Sequence, residues 1–377
     1  MTEFRLTREL TCSPERAWTM LTDPIQMNRW STAAIALRAL GAGDRPDAVG
    51  TLRTVTLPGG RVRLKEVVER VEFARSFSYR VYDGGPALLD HSGTQEIVPT
   101  ASGCTLTWTV RMRLVIGPAT PVIARTVRRQ VAESLDLLAE LTPPESAVAP
   151  AATPRTIRLL PPLREEASRI LDGQRAIAER LAASNDPKQW FARVYAYVTE
   201  EMIAACDRGV LDRPDWVLTL IPRFDAFYTR NLDAYERGEE CEPMWQRAWS
   251  TCERRDERRP HRPVMAGLMS GVAAHIDADL PRAIAQVHRD RFADCDLREF
   301  LPDYLRLAPV FTAASDRLLG DLPRSHTPWW TGVAARVHPQ VRDALIARRG
   351  YDVARHRMAA FASAVADSCD GRAAEPR

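Results

Sequence analysis

No two of the seven cysteines stand as a CxxC pair, which argues against a zinc ribbon and against a disulfide framework. They read as reduced thiols. No run approaches the roughly 18 apolar residues that a membrane-spanning helix needs. The first residues alternate polar and apolar from Glu3 onward, so no apolar core of a signal peptide is present and the expected location is the cytoplasm. Charge of one sign is also missing: 52 basic and 49 acidic side chains leave a net +3. The most basic stretch, Arg254 to Arg262, is interrupted by Asp256 and Glu257 and has no interleaved aromatics, so no nucleic-acid partner is expected. GxGxxG, Walker A, GxSxG and HExxH motifs are absent, which disfavours nucleotide, flavin and serine-hydrolase chemistry by familiar routes. Neither a cofactor nor a metal is expected.

What is present divides into two parts. At 377 residues the chain suits two cores better than one. Residues 1–142 carry strand signals. Phe4 to Leu10 alternates with period two, and Ser13-Pro14-Glu15 opens a helix with a capping hydroxyl, a proline at the first turn and an acid near the dipole. Asp23-Pro24 opens a second short helix that ends at Trp30. Strands are predicted at Gly50 to Thr56, Val62 to Val71, Phe77 to Val81, Thr94 to Val98 and Thr105 to Leu114, separated by glycine-bearing turns. Along the last strand Leu106, Trp108, Val110, Met112 and Leu114 share one face, the pattern of an antiparallel sheet with one wet side. From Thr120 the spacing becomes helical, and Ile123, Val127, Val131, Leu135 and Leu138 form a stripe that must be buried on that sheet.

Residues 143–162 hold six prolines among alanine and serine and read as a linker. From 163 to 377 every pattern is helical, with segments predicted at Arg164 to Leu181, Pro187 to Cys206, Pro214 to Glu236, Pro243 to Arg254, Val264 to Ala278, Pro281 to Arg291, Pro302 to Leu319 and Pro339 to Asp367. Trp329-Trp330 predicts a loop or helix start with one ring exposed.

The first part resembles the START/Bet v 1-like (SRPBCC) superfamily, in its polyketide cyclase/dehydrase branch. Ser13-Pro14-Glu15-Arg16-Ala17-Trp18, Leu21-Thr22-Asp23-Pro24, Trp30, the run Val67 to Val71 leading to Phe77 to Val81, and Gly103 to Trp108 carry the resemblance. It implies an α+β helix-grip domain with a hydrophobic-ligand cavity between the curved sheet and the long helix. The lining candidates are Trp30, Tyr79, Trp108 and Met112, with His91 near the mouth. Tyr79 would orient a carbonyl or stabilise an enolate oxygen; the competing reading is that these side chains simply fill a core and the Tyr79 hydroxyl meets water.

The second part resembles a bacterial helical family of unknown function, marked by a glycine-bearing helix that runs into an Ala-His-Ile-Asn-x-Asp-Leu-Pro type motif. Here Gly267 to Pro281 supplies it, with Asp277 where the family has Asn; Phe224 to Tyr228 and Met244 to Trp249 also fit. His275 and Asp279 lie four apart, so a continuous helix would place both on one face for acid/base work. Alternatively Pro281 ends the helix near Ala278 and Asp279 caps the next one. His288 is the nearest further metal-ligand candidate in sequence. Gly267 and Gly271 suit close helix packing, and Trp245 and Trp249 a core stripe.

Three functions follow. The first is a cyclase or dehydratase of secondary metabolism, needing no cofactor, that acts on a polyketide-like hydrophobic substrate, free or tethered to a carrier protein. The second places acid/base or hydrolytic catalysis on His275 and Asp279, with the first domain capturing substrate. The third is a non-catalytic carrier or sensor of a hydrophobic small molecule. The oligomeric state is open.

Overall fold

The computed structural model describes residues 1–142, 160–254, 256, 258–259, 261–323 and 351–373. The chain divides into two compact units, Met1–Arg155 with Arg298–Pro302, and Thr156–Leu297 with Asp303–Arg377. The predicted linker lies outside the described residues up to Leu160, where a helix already begins. Pro161 and Pro162 sit in its first turn, where a missing N–H leaves no bond unmade.

The first unit is an antiparallel sheet with one long helix laid on it, the expected α+β helix-grip. The strands are β1 (Thr2–Leu10), β2 (Ala34–Ala39), β3 (Leu52–Thr56), β4 (Arg63–Glu72), β5 (Ser76–Asp83), β6 (Leu88–Thr100) and β7 (Gly103–Leu114), in the order β1-β7-β6-β5-β4-β3-β2. Strand β2 is one that the sequence pattern did not reveal. It is an edge strand, and of its six residues only Ile35 is buried, so it shows no alternation. Between β1 and β2 lie α1 (Pro14–Thr22) and α2 (Pro24–Trp30), starting where predicted: the Arg16 N–H donates to the expected cap Ser13 Oγ at 3.2 Å, and the Ile25 N–H donates to Asp23 Oδ1 at 2.9 Å.

The long helix α3 (Thr120–Glu140) packs on β1, β7 and α2. Its apolar stripe is buried only at one end. Leu135 and Leu138 are fully buried, Val131 packs partly, and Ile123 stays 44% exposed. Leu135 and Leu138 join one hydrophobic cluster with Leu10, Trp18, Met20, Leu21, Phe77 and Leu106.

The second unit is all helical among its described residues. It contains α4 (Leu160–Ala183), α5 (Gln189–Asp207), α6 (Pro214–Glu236), α7 (Pro243–Cys252), α8 (His261–Ala273), α9 (Leu280–Arg291), α10 (Leu301–Arg306, of which Leu301 and Pro302 count with the first unit), α11 (Ala308–Asp321) and α12 (Val353–Ala373). The single helix predicted from Pro302 to Leu319 breaks at Leu307, because Pro309 has no N–H to continue the ladder and its ring crowds the preceding turn. Of the helix predicted from Pro339, the part from Tyr351 is described: Tyr351 and Asp352 are not helical and the helix runs from Val353, while Trp329 and Trp330 lie outside the described residues.

Trp245 and Trp249 are buried and stacked at 4.7 Å, and Phe191 packs edge-on to both. A Cβ on Gly267 would lie 2.7 Å from the Cys252 backbone, so this glycine serves close approach of α7 and α8.

Candidate functional site

The motif at Gly267 to Pro281 does not stop at its proline. Helix α8 passes through a wide π turn, Ala274–Asp279, straight into α9. A π turn opens the hydrogen-bond ladder locally, and such turns recur at functional sites. Asp279 keeps helical angles (φ −82°, ψ −42°) and makes no capping bond, so the alternative of a helix N-cap is not what this carboxylate does.

His275 Nδ1 lies 2.9 Å from Asp279 Oδ2, and this carboxylate also accepts from Trp245 Nε1 at 3.0 Å and from Arg282 Nη2 at 2.8 Å. Arg282 is anchored in turn by Glu242 at 2.6 Å. Surrounded by donors, the Asp279 carboxylate acts as acceptor, which assigns the ring proton to Nδ1 and leaves Nε2 with a lone pair. Nε2 is buried and has no partner among the described residues. The Phe224 ring stacks on the imidazole at 3.6 Å and 8°, and Tyr195 meets it edge-on at 4.5 Å, which fixes the ring plane. Burial holds the His275 pKa below the ordinary histidine value, while Asp279 pulls the other way. A neutral imidazole with one face of its chemistry free is suited to take a proton.

His275 lines a cavity of about 160 Å³ with Tyr195, Phe224, Leu268, Leu307 and Arg357. Its walls are almost wholly apolar. Asp277, on another face of the turn, accepts instead from Tyr351 at 2.7 Å and contacts His356 Nδ1 at 2.8 Å. His288 does not join His275; its Nε2 meets the Cys295 carbonyl at 2.9 Å. No group of three or more potential metal ligands is found among the described residues. Nor is any helix among them long and apolar enough to cross a membrane.

In the sheet unit, strand pairing places the other predicted site residues on the concave face. His91 pairs with Met112, Gln95 with Trp108, and Tyr79 with Gly93. Trp30 stands edge-on to Trp108 at 6.2 Å, and Trp108 to Tyr79 at 6.4 Å. Trp30 is held by its indole N–H on the Met20 carbonyl at 2.7 Å and is a packed core residue, whereas Trp108 remains half-buried. His91, expected near the mouth, is only 8% exposed; its Nδ1 has no partner among the described residues, and burial lowers its pKa to about 4. Burial, then the charge of Glu66, pushes the Tyr79 pKa up, so its hydroxyl keeps its proton and can donate.

Three polar residues on this face escaped the sequence reading. Arg53 and Glu66 form a buried ion pair at 2.6 Å, and Gln95 has an unpartnered Oε1. The signal was there: Arg53 shares inward parity with Val55, Glu66 with Val68 and Gln95 with Ile97. A polar residue at an apolar parity is the mark of a lined face.

Two family models match the chain. One, described as a family of unknown function (DUF5995), covers residues 168–376. The other, polyketide cyclase / dehydrase and lipid transport, covers residues 1–142. The first domain is thus a START/Bet v 1-like domain, as its residues implied. A similar protein is the uncharacterised Rv2574 of Mycobacterium tuberculosis, 30% identical over 121 residues, covering 32% of this chain and 70% of that protein. Among solved structures, a START superfamily protein from Mycobacterium smegmatis is similar at 16% identity, covering 37% of this chain and 97% of that one, with a TM-score of 0.32. Norcoclaurine synthase from Thalictrum flavum is similar at 17% identity, covering 37% and 85%, with a TM-score of 0.30.

Proposed function

The chain belongs to the family of unknown function DUF5995 through its helical half, and from that premise we propose that this half is a proton-transfer centre for an apolar small molecule. The observations that carry the proposal are the buried, unpartnered Nε2 of His275 and the place of this residue among those that line an apolar cavity. Asp279 holds the ring in the tautomer that presents a lone pair, and Phe224 and Tyr195 hold its plane. In this reading His275 removes a proton from the bound molecule and returns it elsewhere, as an isomerisation, dehydration or cyclisation requires. The low-dielectric walls keep the imidazole neutral and exclude competing water. The START-like domain serves as the binding module for a hydrophobic, oxygenated molecule of the polyketide kind.

A second reading rests on the polyketide cyclase / dehydrase match over residues 1–142. It places the chemistry on the concave sheet face, with Tyr79 donating to a developing oxyanion and Trp30, Trp108, Met112 and His91 shaping the substrate. One experiment separates the two. The full-length protein is incubated in D2O with a panel of β-dicarbonyl polyketide mimics, and deuterium uptake and product formation are followed by NMR and mass spectrometry. Turnover is expected to fall at least a hundredfold in His275→Asn and to persist in Tyr79→Phe. The reverse result moves catalysis to the sheet domain. Tight binding of a mimic that both variants and the parent return unchanged would leave a carrier or sensor.

A further inference from the structure

We propose that the helical cavity takes an apolar molecule bearing one carboxylate, and that Arg357 is the group that binds it. The inference rests on the reading of that cavity as a ligand site and adds the chemical class of the ligand.

Arg357 lies on α12, is 4% exposed and lines the same cavity as His275. Its Nη2 donates to the Tyr304 carbonyl at 2.7 Å, while its Nε is buried and has no partner among the described residues. The guanidinium carbon sits over two rings, 4.2 Å from Tyr304 and 4.4 Å from Phe311. No carboxylate among the described residues pairs with it. The other two arginines among them that are less than one-tenth exposed are paired: Arg53 with Glu66 at 2.6 Å and Arg213 with Asp215 at 3.0 Å.

A guanidinium stays charged in a protein, and an uncompensated buried charge is strongly unfavourable. The aromatic faces offset part of that cost. The remaining deficit is a missing negative charge at a wall of the cavity, and a planar carboxylate is the anion that matches a guanidinium edge. The other walls, among them Leu268, Met269, Leu307 and Leu318, ask for hydrocarbon. The volume of about 160 Å³ suits a body the size of an aromatic ring or a short branched chain. The lone pair on His275 Nε2 would repel a carboxylate, so the anionic end belongs at Arg357 and a proton-bearing part of the ligand at His275.

Calorimetric titration of the full-length protein with benzoate, benzamide and benzyl alcohol at pH 7 tests this. Benzoate is expected to bind at least tenfold more tightly than either neutral probe, and to lose that advantage in Arg357→Met. Equal affinity for all three probes in the parent protein overturns the carboxylate assignment and leaves the cavity reading standing. That comparison needs no variant to fold. Undiminished benzoate binding in Arg357→Met also overturns it. If none of the three probes binds, the cavity reading fails and the inference fails with it.

Discussion

The sheet domain and the helical domain both bury charge, but they complete it differently. In the first, Arg53 is 1% exposed and meets Glu66 at 2.6 Å, so its charge is matched within the fold, although its Nε has no partner among the described residues. In the second, Arg357 is 4% exposed with no carboxylate partner among the described residues, and His275 has one ring nitrogen held and the other free. A closed pair serves the fold, and removing one member harms it. An open group is a standing cost to the fold, which is a physical reason to assign it to a ligand.

The sharpest way to break that contrast is to remove one charge from each domain. Glu66→Ala strands Arg53 and is expected to destabilise the sheet domain by about 3–5 kcal/mol. Arg357→Met removes a charge that was never paired and is expected to leave the helical domain neutral or more stable. Hydrogen-exchange mass spectrometry reads the two domains separately in the intact chain, and losses of equal size in both would erase the distinction.

Acid should separate the domains next. The His91 pKa, lowered by burial to about 4, means that the unfolded chain binds a proton more readily than the folded one between roughly pH 6.5 and 4. Its contribution is therefore complete above pH 6.5 and is lost as pH falls, by about 3 kcal/mol at the limit. Asp225, raised by burial to about 6, has the opposite sign: its contribution is complete below about pH 3.8 and is lost as pH rises through 6. His275 works in the same direction as His91. Exchange measured from pH 4 to 7 is expected to show the sheet domain weakening in acid, with His91→Gln flattening the trend. Asp225→Asn is expected to raise helical-domain stability at pH 7 by about 2–3 kcal/mol.

Packing gives a smaller effect. Gly267→Ala forces α7 and α8 apart, because its Cβ would lie 2.7 Å from backbone atoms of Cys252. A loss of about 1–3 kcal/mol is expected in urea unfolding of the helical domain, with the sheet domain unchanged. Smallest is Ser13→Ala, which removes the cap on Arg16 N and should cost the sheet domain about 1 kcal/mol in the same measurement.

Much of the fold was legible. Period-two alternation on β1, glycine-bearing turns, the cap at Ser13, the helix start at Asp23-Pro24, and the four-residue spacing of Trp245 with Trp249 and of His275 with Asp279 are all local patterns. Strand β2 was hidden because an exposed edge needs no alternation, and the break at Leu307 because an apolar stripe runs on through it. Of the candidate site, the His275–Asp279 pair was readable, whereas its partners Trp245, Phe224 and Arg357 were not. Trp245, Phe224 and Arg357 come from α7, α6 and α12, and no spacing along one helix predicts a contact from another; Arg282, three residues after Asp279 on the same continuous helix, was open to reading by its spacing and was not read.

Sequence alone determined the two-part architecture, the antiparallel sheet with its long helix, and the helical second half, because binary pattern and turn chemistry act over a few residues. Tertiary structure decided which polar groups lost their water and which of those regained a partner. Desolvation and pairing depend on what other segments bring close, so the closed pair at Arg53 and the open groups at His275 and Arg357 exist only once the helices and strands have packed.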